Sequence, residues 1–594
     1  MKKMILSFFC VSLVLPACYK MRASNGGGQI EPPKERMINA VDIALAPGYK
    51  IEAVAKGLTF PSGIAFDDKG QLYVIETGYS YGEVWGEPKL LRLENTGTQT
   101  LIAKGARNGP WTGVTFYDGY FYVAEGGESE GGKILRISPA GDIKTIVDNL
   151  PSIGDHHTNG PVVKDGYIYF GQGTATNSAV VGPDNANFGW LMRHKDFHDI
   201  PCEDIVLNGT NYRSANVLTQ DANDTATTGA YSAFGTSTAA GEIIKGNIPC
   251  NGAIMKIPIE GGKIQLVAWG LRNPFGLAFS PGGKLFVTEN AYDDRGSRPV
   301  WGAADVLWQV EQGAWYGWPD FSAGKPIASD EEFKVPGKHP VTALLQKYPN
   351  TPPKPVAIFG VHSSSNGFDF STSTDFGFAG QAFVAQFGDM APNVGKVSSP
   401  VGFKIVRVDV RDGVVRDFAV NKGKRNGPAS WLTKGGLERP VAVKFSPRGD
   451  ALYVVDFGIL TITGKGPQPQ TNTGVIWKIT KQQMMKRQLC ILLFLSAIGS
   501  CAVRRSEPVK AETFVPANEH IANGEKIFMA NCQKCHPGGE GGLGPAINSN
   551  PAPQFIKRFQ MRHGLGAMPS FKQNEISKSD LKDISQFLRA WKSY

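Results

Sequence analysis

Apolar and polar residues alternate with period two through short runs that recur along most of the chain, each pair joined by a glycine-, aspartate- or serine-rich turn. This is the pattern of half-buried β-hairpins. The clearest copy, Gly270 to Glu289, reads GLRNPFGLAFSPGGKLFVTE: Leu277 and Phe279 alternate inward, Ser280-Pro281-Gly282-Gly283 turns the chain, and Leu285 and Val287 lead back to a carboxylate. Altered copies begin at Gly63 (GIAFDDKGQLYVIE), Gly113 (GVTFYDGYFYVAE), Gly160 (GPVVKDGYIYFG), Gly367 (a looser GFDFSTSTDFGFAGQAFVA) and Val441 (VAVKFSPRGDALYVVD), six in all. A lone hairpin cannot bury its own apolar face, so the copies must stack around a shared axis. The pattern predicts an all-β, six-bladed β-propeller over residues 41–482, with its chemistry in the loops flanking the hairpins at one end of the channel. A β-sandwich would not need near-copies of one hairpin.

Two stretches depart from the repeat. The segment from roughly Thr174 to Cys250, between the third and fourth hairpins, is too long for a blade turn and reads as a lid or side wall over the channel mouth. Beyond residue 518 the apolar period lengthens to that of helices, Glu519 to Asn531 and Ser579 to Trp591, the second with Leu581, Ile584, Phe587, Leu588 and Trp591 on one stripe. They predict a small all-α domain over 518–594.

The formal charge of +9 is modest and spread along the chain, and no basic run is interleaved with aromatics. Nucleic acid is therefore not an expected partner. Residues 1–18 pair Lys2 and Lys3 with an apolar run and Leu15-Pro16-Ala17-Cys18, a lipoprotein-type signal in which Cys18 becomes the lipidated first residue; a signal peptide cut near Ala17 or Ala23 is the alternative. Residues 19–40 then form a tether. Residues 484–501 repeat the arrangement inside the chain, from Lys486-Arg487 to Ile498-Gly499-Ser500-Cys501, with an apolar run too short to span a bilayer. Residues 502–517 read as a linker. The expectation is an exported protein on the periplasmic face of a bacterial membrane, lipid-anchored at Cys18 and Cys501, maturing into separate polypeptides.

Cysteine usage narrows the chemistry. Cys10 and Cys490 lie in leader-like runs, Cys18 and Cys501 end the two signals, and Cys532 and Cys535 share a motif, which leaves Cys202 and Cys250 to pair as a disulfide in an oxidising compartment. That pairing weakens a metal reading of His194 and His198 with Cys202. In Cys532-Gln533-Lys534-Cys535-His536, the two thiols suit addition to the vinyl groups of haem, and His536 is placed to ligate the iron. Met568, in Gly566-Ala567-Met568-Pro569, suits the opposite axial position ahead of Met561 and His563. With Gly544-Pro545, the Met-Pro loop and the closing aromatic helix, this domain closely resembles a class I cytochrome c, which implies covalent haem c and a respiratory electron acceptor as partner.

In the propeller, Gly154-Asp155-His156-His157 sets a histidine beside a carboxylate just before the third hairpin, where Asp155 is expected to orient His156 as a general base. A turn hydrogen bond is the competing reading. Arg272-Asn273 stands at the same end of the next hairpin, and a guanidinium there suits a planar anionic cofactor or a blade-to-blade ion pair. These residues, with the RNPFGLAF stretch and Tyr316-Gly317-Trp318-Pro319 after Asp305, resemble the soluble glucose/sorbosone dehydrogenase family across residues 45–480. The resemblance implies a calcium-dependent enzyme using pyrroloquinoline quinone (PQQ) to oxidise a sugar or related alcohol or aldehyde. His156 would take the hydroxyl proton, Arg272, Asn273 and Arg439 would contact PQQ, and calcium would sit against carbonyls near Ala291 and Tyr292. Gly171-Gln172-Gly173 departs from the family, standing where those enzymes have an acidic residue. The cofactor lysine also lacks a clear match, Lys396 and Lys404 lying only nearby. A calcium-dependent propeller lactone hydrolase and a non-catalytic sugar-binding propeller are the alternatives, and an attached haem domain favours redox chemistry over both.

Overall fold

The computed structural model describes residues 24, 26, 27, 31, 33–482 and 514–592, except 95–96, 128–129, 188, 220, 329–330, 337–339, 424, 549 and 551. The two signal segments, with Cys18 and Cys501, lie outside the described residues. Among the described residues no helix is long and apolar enough to cross a membrane.

Each hairpin forms the two inner strands of an antiparallel blade. The innermost strands, Pro61–Phe66, Trp111–Tyr117, Thr158–Lys164, Asn273–Phe279, Ser365–Phe370 and Pro440–Phe445, contact one another in sequence, and the sixth closes on the first. The result is the six-bladed propeller. Closure is fastened by the N-terminal strand Tyr49–Leu58, which becomes the outer strand of the last blade by pairing with Gly474–Lys481. Ile43–Leu45 adds a fifth strand to the blade before it.

Two recurring features of the hairpins have structural causes. Glycine stands where inner strands converge on the axis: a Cβ on Gly113 would lie 2.1 Å from the Gly160 carbonyl oxygen. The polar residue ending each second strand braces the blade corner. Glu289 accepts from the Arg272 amide at 2.6 Å and the Trp308 indole at 2.6 Å, Asp456 accepts from the Arg439 amide at 2.9 Å and the Trp477 indole at 3.2 Å, and Glu125 accepts from the Trp111 indole at 2.9 Å. Gln172 and Gln386 are the neutral members of this set; Gln172 accepts from Thr158 Oγ1 at 2.8 Å and donates to the Pro151 carbonyl, and Gln386 donates to Ser365 Oγ at 3.1 Å. The departure from an acidic residue at Gln172 is thus a change at a blade corner. Burial pushes the Glu289 carboxyl up to about 7 despite these donors.

The long insertion carries two small hairpins, Ile205–Asn208 with Ala240–Ile244 and Asn211–Ala215 with Thr225–Gly229, and the Cys202–Cys250 disulfide closes the loop that contains them. The expected tether partly lies on the propeller: Ser24 Oγ donates to Asp389, and the Gly26 carbonyl accepts from Arg439.

The C-terminal domain is helical, with Glu519–Asn531 and Lys578–Lys592 packed together and a further helix, Gln554–His563, between them. Its core begins upstream of 518. Phe514, assigned to the linker from the sequence, is buried against Phe587 and Trp591.

Candidate functional site

Loops at one end of the propeller and the side wall from the insertion enclose a cavity of about 1110 Å³. His156, Arg272, Asn273 and Ala291 line it, as does Asp155, whereas Tyr292 and Arg439 do not.

His156 enters from the loop before the third blade. Its Nδ1 is 2.9 Å from the Thr174 backbone carbonyl and 3.1 Å from the Thr174 hydroxyl. A carbonyl only accepts, so Nδ1 carries the proton and Nε2 keeps its lone pair. Burial, then Arg272 and Arg295, hold the imidazole pKa well below its ordinary value, and the ring is neutral near pH 7. Asp155 does not orient this histidine. Its carboxylate accepts from Arg295 at 2.6 Å and from Asn185 at 3.0 Å, because a buried carboxylate is better served by a guanidinium than by a neutral ring.

Arg295 is the centre of a charge lattice that the sequence reading missed. It bonds Asp155 at 2.6 Å, Asp184 at 2.6 Å and Asp293 at 3.0 Å. Burial opposes its charge, and the three carboxylates outweigh that and hold its pKa above the ordinary arginine value. Arg272 joins the lattice by bonding Asp293 at 2.8 Å and donates also to the carbonyls of Asn177, Asn290 and Ala291. Its fork is directed to protein groups. Asn273 accepts from Asn159 at 3.0 Å and donates to Asn290 at 3.1 Å, while Asn290 donates to the Ser365 carbonyl, an amide chain stitching three blades.

Other expected contacts fall elsewhere. Arg439 is fully buried, donating to the carbonyls of Leu460, Gly388, Asp389 and Gly26, so it braces the last blade. The Tyr292 hydroxyl donates to the Phe321 carbonyl at 2.9 Å. The Ala291 carbonyl already accepts from Arg272, so a calcium ion at Ala291 and Tyr292 would share that oxygen with the guanidinium. Among the described residues no group of three or more histidine, cysteine, aspartate or glutamate side chains is arranged to hold a metal ion. Lys404 pairs with Asp417 at 2.6 Å and faces away from this chemistry.

His362, also unforeseen, lines the same cavity. It stands 3.8 Å from Asp293, and burial depresses its pKa. A sequence signal existed: His362 precedes Ser365-Asn366-Gly367 much as His156 and His157 precede Thr158-Asn159-Gly160.

In the helical domain, Cys532 caps the first helix, and the turn that follows carries Cys535 and leads into His536. His536 Nδ1 is 2.6 Å from the Pro545 carbonyl, which leaves Nε2 for a metal, and a Cβ on Gly544 would lie 2.4 Å from the imidazole Cε1. The donor set fits covalent haem. Of the candidates for the other axial position, Met561 is buried in the helical core and His563 is exposed and stacked on Phe559 at 4.1 Å, whereas Met568 is half-buried at the core's edge.

Residues 519–588 match the family model for cytochrome c oxidase, cbb3-type, subunit III. Cytochrome c6 of Cyanidioschyzon merolae is 35% identical over 78 residues, 12% of this chain and 73% of that protein. Cytochrome c6 of Petalonia fascia is 33% identical over 76 residues, 11% of this chain and 88% of that protein. Over the propeller, solved structures are similar in fold: the PQQ domain of pyranose dehydrogenase from Coprinopsis cinerea is 14% identical with a TM-score of 0.45, covering 75% of this chain and 98% of that one. A carbohydrate-active enzyme of family AA12 from Trichoderma reesei is 16% identical with a TM-score of 0.46, covering 76% and 100%.

Proposed function

Because the chain belongs, through its C-terminal helical domain, to the cytochrome c family, we propose that the propeller is the electron source for that haem: a PQQ-type dehydrogenase of sugars or related alcohols and aldehydes. The observation that carries this reading is His156, whose Nδ1–H is held by the Thr174 carbonyl so that an unprotonated Nε2 belongs to a large cavity.

The donors lining the cavity suit a planar polyanion: Arg213, Arg272, Arg295 and Lys465 supply cations, and Asn290 and Asn393 supply amides. When bound, a quinone of this kind supplies a carbonyl group that accepts a hydride. His156 Nε2 takes the proton of the substrate hydroxyl. The Thr174 carbonyl keeps the ring in one orientation and stabilises the imidazolium that forms. Arg272 and Arg295, fixed by Asp293, Asp155 and Asp184, hold guanidinium donors that need no reorganisation during the reaction. Tyr79 and Trp190, with the polar side wall, suit the faces and hydroxyls of a sugar. Calcium is assigned no step here.

Titrating the haem-loaded protein with PQQ, with and without calcium, and then adding aldoses tests the reading. Haem reduction that requires both quinone and sugar supports it; release of an acid from a sugar lactone without haem reduction contradicts it.

A further inference from the structure

On that reading, electrons leave a cavity made by the propeller for a haem carried by the helical domain, and one short stretch of backbone touches both. The strand Ala357–Val361 ends the fourth blade. There the Val361 amide donates to the Lys534 carbonyl at 3.0 Å. Lys534 lies within the CQKCH motif, one peptide from Cys535. The next residue, His362, adopts a left-handed conformation, with φ of 61°, and belongs to the cavity lining beside Asp293, itself bound to Arg272. We propose that Gly360-Val361-His362 is the electron exit of the cavity, and that the surface around it is a fixed docking site for this chain's own haem domain.

The docking surface is built at several points. Lys534 Nζ bonds Glu332 at 2.7 Å with side-chain exposures of 12% and 7%, and stands 5.0 Å over the Phe333 ring. Arg416 bonds Glu525 at 2.6 Å, and those side chains are 12% and 6% exposed. Leu543 packs against Ala391, Val397 and Val401, and Ser398 donates to the carbonyls of Gly542 and Leu543. Glycine at 360 makes room for Val401, which would lie 2.7 Å from a Cβ there, and Pro537 of the helical domain reaches the same point at 3.5 Å, ordinary van der Waals contact. Charges so far withdrawn from water suit a held interface better than a swinging one.

The path from His362 runs through bonds to Val361, crosses one hydrogen bond to Lys534 and reaches Cys535, whose sulfur is one of the two thioether attachments to haem. With quinone and haem bound, each passage would move one electron from the two-electron-reduced quinone to ferric haem, which would become ferrous, and would release one proton to water. Reoxidation of the haem by an external one-electron acceptor allows the second passage, which returns the quinone to its oxidised form.

The test uses the full-length, haem-bearing chain loaded with PQQ, mixed anaerobically with an aldose while quinone and haem absorbances are followed separately. In Lys534→Glu, quinone reduction keeps its rate and haem reduction slows by about tenfold or more through misplacement of the haem. In the quinone-free protein, hydrogen exchange at the Val361 amide is slow in the wild type and fast in this variant. Glu332→Gln gives the same directions with smaller size and serves if Lys534→Glu fails to take up haem. Haem reduction at the wild-type rate in either haem-bearing variant, or a Val361 amide as unprotected in the wild type as in the variant, overturns the proposal. Absence of quinone reduction in the wild type overturns the functional reading instead, and the exchange measurement still decides the docking.

Discussion

His156 Nδ1 lies 2.9 Å from the carbonyl oxygen of Thr174, and this contact fixes which ring nitrogen is the base. Replacing His156 by alanine is expected to lower turnover by about two to four orders of magnitude while quinone affinity changes little. The pH profile follows from the same surroundings. The folded-state pKa is depressed below 6.5, so the base remains unprotonated from neutral pH down through 6.5, and activity falls only at more acid pH. The unfolded chain takes up its proton first, so this group also makes stability decline as pH drops below 6.5. A pH series of single-turnover rates checks the first statement, and a sharp loss at 6.5 or above contradicts it.

Asp155→Asn separates the lattice from the base. Because Asp155 serves Arg295, the substitution is expected to cost about 3 kcal/mol of stability by leaving a buried guanidinium under-compensated. Denaturant unfolding should show this loss, with the acid limb of the rate profile staying below 6.5. A wild-type unfolding midpoint would show that the lattice does not bear on stability.

Arg272→Ala should lower both quinone affinity and stability, since its guanidinium links Asp293 to three carbonyls while lining the cavity. Removing one partner of so buried a pair costs about 3–5 kcal/mol. Isothermal titration and chemical unfolding measure the two effects. Loss of affinity at unchanged stability would mean that Arg272 serves the ligand rather than the lattice.

Met568→Ala should leave haem attached through Cys532 and Cys535 while changing its spin state and lowering its potential. An unaltered visible spectrum would place another side chain on the iron.

Much of the architecture could be read from the chain because a repeated hairpin has few ways to bury its inner face, and CQKCH needs no tertiary knowledge to be recognised. The disulfide followed from cysteine usage alone. Residue roles in the cavity were harder. Asp155 is adjacent to His156 in sequence, yet neighbours along a loop point in different directions, and Arg295, from a loop 140 residues later, claims the carboxylate. Arg439 stood at a site-facing position by analogy and is consumed by four carbonyls. His362 sat in a small polar run, VHSSSN, and shows its place only when hairpins are aligned by blade.

The most direct test is anaerobic mixing of the haem-bearing protein, with and without bound PQQ, against an aldose while the haem spectrum is recorded. A ferrous spectrum is expected in the quinone-loaded protein and none without quinone. Haem that stays ferric while quinone is bound and sugar is present, or that is reduced equally in its absence, would contradict it.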